Sequence, residues 1–79
     1  MMSIAGEIKE IRQKCFLSQN SFATELGVSF STVNRWETGK TVPNCIMMKR
    51  IVEFCKSQGI DYHLADEAWK ESKNAVHTY

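Results

Sequence analysis

Apolar residues recur along this chain at helical spacing. Ile4, Ile8, Ile11 and Cys15 fall at i, i+4, i+7 and i+11, which predicts one buried face on a first helix over about residues 3–15. Ser18 is an N-cap residue for a short second helix in which Phe22 and Leu26 lie four apart. Gly27 stands where that helix would end in a left-handed conformation. Ser29 caps a third helix to about Glu37, with Val33 and Trp36 on its inner side. Thr38-Gly39-Lys40 ends it, and Pro43 blocks continuation. Asn44 opens a fourth helix over about 45–57, where Met47, Ile51 and Phe54 are read as core positions. Gly59 stops that helix, and Asp61 can cap a fifth carrying Tyr62, Ala65 and Trp69. Residues 74–79 lack periodicity and are expected to fray.

No segment alternates Val, Ile and Thr as a half-buried strand would, so the pattern predicts an all-α domain over residues 1–73. The second and third helices, about eight residues each, are too short to stand alone, so the other three must pack around them.

Composition changes the picture little, and charge changes it more. No apolar run approaches the roughly 18 residues of a membrane span, and no signal segment opens the chain, so a cytoplasmic protein is expected. Three cysteines at positions 15, 45 and 55 form neither a disulfide framework nor a CxxC metal pair; Cys15 is read as a small core residue. Net charge is +1, which alone argues against a nucleic-acid partner. Its distribution does not: residues 1–58 carry eight Lys/Arg against five acids, and residues 59–79 carry two against four. The body is basic and the tail acidic.

The stretch from Gln19 to Trp36 has a physical logic. Phe22, Leu26, Val28, Val33 and Trp36 can share one core, Ala23 is small where two helices would cross, and Gly27 permits a sharp turn. On a helical wheel Ser31 and Arg35 fall nearly opposite Val33 and Trp36, with Asn34 and Thr38 beside them. A helix anchored on its apolar side, with small polar groups and one Arg outside, suits the major groove of DNA.

Here the chain resembles the Cro and lambda-repressor type of helix-turn-helix, the XRE-like family of transcriptional regulators, over about residues 8–57. The resemblance rests on Ile11-Arg12, on Leu17-Ser18-Gln19 with Phe22-Ala23, and on Leu26-Gly27-Val28-Ser29. The run from Ser31 to Lys40 and Pro43 complete it. It implies a compact five-helix lambda-repressor-like DNA-binding domain whose second and third helices form the motif. It further implies that Ser31, Thr32, Asn34 and Arg35 lie near base edges. Gln19, with Asn20 beside it, would sit near a phosphate at the start of the second helix, and Thr38 and Lys40 would meet the backbone. Arg12 would pair with Glu37, a structural contact worth about 0–1 kcal/mol if exposed. Phe30 departs from the polar residue often found at that position and is able to touch a thymine methyl.

The implied partner is a double-stranded DNA operator, bound by a homodimer that is weak when free, on half-sites about 34 Å apart. Tyr62, Leu64 and Trp69 are candidates for the subunit contact, Tyr62 and Trp69 equally so for the monomer core. No cofactor, metal, membrane or small-molecule ligand is expected. His63 and His77 have no acid–base or metal partners in the sequence, and no nucleophile elbow or phosphate loop points to an enzyme. The competing reading is a protein-interaction or antitoxin-like subunit whose helix-turn-helix is structural, with the acidic tail and Trp69 as its working surface.

Overall fold

The computed structural model describes residues 3–76, which form α1 (Ile4–Lys14), α2 (Gln19–Leu26), α3 (Phe30–Glu37), α4 (Cys45–Gln58) and α5 (His63–Val76), with no strand among them. The expectation of a frayed end lies, for residues 77–79, outside the described residues. Each of the first four helices begins at a side-chain cap. Ser3, Ser18, Ser29 and Asn44 accept the backbone N–H three residues on, satisfying one of the donors that a helix start leaves open. At the start of α5 Asp61 accepts the N–H of His63, two residues on, at 2.9 Å.

The helices α1 to α4 also end alike. A residue with positive φ follows the last turn, and the next N–H reaches back to the carbonyl five residues earlier, as from Val28 to Ala23 at 2.9 Å. Glycine holds the positive φ after α2, α3 and α4; after α1 it is Phe16, at φ 58 and 95 % exposed. A bulky L-residue there costs about 1–2 kcal/mol, and this side chain recovers none of it by burial. Phe16→Gly should therefore raise stability by about 1 kcal/mol, an increase of about 4–8 °C in Tm by thermal melting. A melting point unchanged or lowered would contradict the left-handed turn.

The core takes Ile4, Ile8 and Ile11 from α1, Phe22, Ala23 and Leu26 from α2, and Val33 and Trp36 from α3. Met48, Ile51 and Cys55 come from α4, and Ala65 and Ala68 from α5. Two expectations are corrected here. Cys15 is the C-cap of α1 and only half-buried, because α1 has ended before the apolar stripe reaches it. On α4 the fully buried residues are Met48, Ile51 and Cys55, while Met47 and Phe54 are half-buried at the border, Phe54 edge-on to Phe22 with ring centroids 5.7 Å apart. The helix lies between α2 and α5, so its buried stripe is centred one residue further on. Burial pushes the Cys55 thiol up to about 11, leaving it a protonated core residue.

Tyr62 and Trp69 pack against this core, and the Trp69 indole N–H donates to the Pro43 carbonyl at 2.7 Å, strapping α5 to the α3–α4 loop. Arg50 of α4 donates to the Leu26 carbonyl at 3.3 Å, bracing the end of α2 beside the turn. These contacts tie α5 to the α3–α4 loop and α4 to the end of α2, and one side of α3 stays open.

Candidate nucleic-acid interface

The open side of α3 is built from Ser31, Asn34, Arg35 and Thr38, all exposed, opposite the buried Val33 and Trp36. Phe30, half exposed, stands at the first turn, and Lys40 is exposed just past the last. The α2–α3 turn brings Gln19 and Asn20, at the start of α2, alongside the far half of α3, where the Gln19 amide lies 3.4 Å from Asn34 Oδ1. Of the nine residues expected at DNA, seven lie on α3 or just past its end, and Gln19 and Asn20 lie at the start of α2, where Gln19 touches Asn34.

They differ in what their side chains are doing. Among the described residues, Asn20, Ser31, Arg35 and Lys40 have no side-chain partner and are free to bind. Thr32 Oγ1 lies 2.9 Å from the Ser29 hydroxyl at the start of α3. The Thr38 hydroxyl donates to the Asn34 carbonyl at 2.9 Å, so it faces solvent as an acceptor. Gln19 donates to Glu37 Oε1 at 3.0 Å as well as to Asn34.

Behind this face lies the Arg12–Glu37 pair. Arg12 Nε donates to Glu37 Oε2 at 2.8 Å and Arg12 Nη2 to Oε1 at 3.0 Å, a bidentate contact, while Nη1 donates to the Leu17 carbonyl at 2.9 Å. The two side chains are only 13 % and 3 % exposed, so the small value expected for a surface pair does not apply. The hydrogen bond to Glu37 raises the Arg12 pKa further, against desolvation, with the carboxylate charge adding to the rise. The pair fastens the last turn of α3 to α1. It also hides the one carboxylate on α3, so the open face carries Arg35 and Lys40 with no acid between them. An exposed helix face of positive charge and small polar groups is suited to an anionic, hydrogen-bonding polymer.

Gln19, expected near a phosphate, is tied instead to Glu37 and Asn34 through its side chain, a link that the sequence does not announce. No local signal in the sequence reports the link, because it depends on the burial of Glu37, 18 residues away.

A model of the helix-turn-helix family matches residues 8–61, well over half of the chain. The type II methyltransferase M.SsoII of Shigella sonnei is 38 % identical over 55 residues, covering 66 % of this chain and 14 % of that protein. The chain thus spans about a seventh of that relative's length. No solved structure gives a significant match. No described helix is long and apolar enough to cross a membrane.

Proposed function

This chain belongs to the helix-turn-helix family of the Cro and lambda-repressor (XRE-like) type, and we propose that it is a sequence-specific DNA-binding regulator of transcription, prokaryotic or phage-derived and cytoplasmic, with α3 in the major groove. The observation that carries this reading is the open face of α3, where Arg35 is exposed and unpartnered among the described residues while Glu37 is locked away. An α-helix with its side chains is about 10–12 Å across, matching a groove about 12 Å wide.

Arg35 is the principal base reader, its forked donors suiting guanine O6 and N7. Ser31, Thr32 and Asn34 share the base edges, and Phe30 touches a thymine methyl. Lys40, Thr38 and Asn20 hold the sugar–phosphate backbone, with the open N–H groups of Gln19 and Asn20 in the first turn of α2. One domain reads half an operator, so two copies bind an inverted repeat as a dimer completed on DNA. With Tyr62 and Trp69 packed against the core, Leu64 and Ile46, 49 % and 67 % exposed, are the large apolar residues of α4 and α5 that stand exposed among the described residues, and they are the candidates for the contact. No catalytic step belongs to the proposal, since the similarity to the methyltransferase covers only a seventh of that protein.

Arg35→Ala should cost about 1–3 kcal/mol on the selected duplex and relax preference at one base pair. Lys40→Ala should weaken binding to all duplexes alike. Equilibrium titration of each variant, reading two chains per duplex for the wild type, checks both. Unchanged affinity and preference in Arg35→Ala would remove it as a reader.

A further inference from the structure

We propose that Phe16 is a DNA-backbone contact, its ring lying on a deoxyribose beside the start of α2; this rests on the DNA-reading assignment above. Among the described residues Phe16 is the one non-glycine residue with positive φ, at φ 58, and it is 95 % exposed. The left-handed conformation disfavours a bulky residue, and a solvated ring gives nothing back within the chain. Strain of this kind persists where neighbouring contacts fix it, and it gathers at sites that bind. Here the fixing contacts are hydrogen bonds. The Phe16 N–H donates to the Gln13 carbonyl at 3.0 Å, and the Leu17 N–H to the Arg12 carbonyl at 3.2 Å. Arg12 Nη1 in turn donates to the Leu17 carbonyl at 2.9 Å, and the Leu17 side chain packs against the core. Phe16 therefore stands outward on a turn fastened on both sides of it.

The place of that turn identifies the partner. The guanidinium that holds the Leu17 carbonyl also holds Glu37 in the last turn of α3. Gln19, three residues past Phe16, touches Asn34. The turn thus stands at the edge of the open α3 face, next to the first turn of α2. Residues 13–24 carry one lysine and no acid, so the ground around the ring suits a polyanion. A phenyl ring has neither donor nor charge for a phosphate oxygen. The apolar part of the backbone is the sugar, and a phosphate held at the start of α2 brings the adjoining sugar within reach of Phe16. Every nucleotide carries that sugar, so the contact adds affinity for all sequences alike. An uncharged ring displaces no counterion, so it adds affinity without steepening the salt dependence. Stability and DNA binding then make opposite demands on this position.

The test uses Phe16→Gly, Phe16→Ala and Lys40→Ala beside the wild type, all in the full chain, by thermal melting and by equilibrium titration of duplex DNA over a range of salt. Phe16→Gly should melt higher than the wild type, yet bind selected and random duplexes roughly three- to tenfold more weakly. The slope of log affinity against log salt should not change. Lys40→Ala should also lose affinity, with a slope smaller by about one. Phe16→Ala keeps the restricted backbone and removes the ring, so it should bind as weakly as Phe16→Gly. In the complex, nuclear Overhauser contacts should join the Phe16 ring protons to deoxyribose protons. Wild-type affinity in Phe16→Gly would overturn the proposal. A loss in Phe16→Gly that Phe16→Ala does not share would belong to the freed backbone, and would overturn it too. Loss of cooperativity between two half-sites, with affinity for one half-site unchanged, would assign the ring to the second copy and overturn the sugar contact. Failure of the wild type to bind any duplex would overturn the DNA-reading assignment and this contact together, whereas full binding by Phe16→Gly overturns the contact alone.

Discussion

Trp36→Ala should destabilise the domain by about 3–5 kcal/mol, a large part of the roughly 4–12 kcal/mol expected for a chain of this length. Trp36 is 3 % exposed and sits on the inner side of α3, which packs on both α1 and α2. Truncation to Ala leaves a cavity that three helices line. The two eight-residue helices have no independent stability with which to survive the loss. Thermal and urea unfolding followed by circular dichroism should show a Tm lower by more than 10 °C, or no cooperative transition. Trp36→Phe should recover at least half of the loss. A cooperative melt within a few degrees of wild type would show that Trp36 is not the anchor of α3.

The second large effect is expected at Arg12. Removing the guanidinium leaves Glu37, 3 % exposed, as a buried charge whose one remaining side-chain donor is Gln19. Arg12→Met should therefore cost about 3–5 kcal/mol in urea unfolding. Arg12→Met with Glu37→Leu removes both charges and should recover more than half of that, because two apolar groups of similar size replace a pair that is costly to desolvate. A single-variant cost below about 1 kcal/mol would place the pair in the range of exposed ion pairs and contradict its burial.

Much of this architecture is legible in the sequence because its determinants are local. Ser18, Ser29 and Asn44 announce helix starts, Gly27 and Gly59 announce stops, and these signals act within one turn of the chain. The side of α3 that faces out is legible for the same reason, since Val33 and Trp36 fix its rotation. The family resemblance is confirmed by the match over residues 8–61. What the sequence hides is set by tertiary packing. Apolar residues cover a broad arc of α4, and only contact with α2 and α5 selects Met48 and Cys55 for the centre over Met47 and Phe54. Tyr62 and Trp69 are equally plausible inside or at an interface until Pro43 supplies a carbonyl for the indole. Phe16 in a left-handed turn runs against the residue preference of that position, so no propensity points to it. The Gln19 network escapes because it depends on the burial of Glu37, 18 residues away in sequence.

The proposed function stands or falls on whether α3 reads DNA. The most direct measurement is selection of bound sites from random duplex DNA by the full chain, followed by titration of the isotope-labelled protein with the selected duplex and residue-resolved NMR. A common half-site should be enriched, with shifts concentrated at Ser31, Asn34, Arg35 and Lys40 and at the first turn of α2. No enriched sequence, or shifts confined to α4 and α5 with α3 unperturbed, would contradict it.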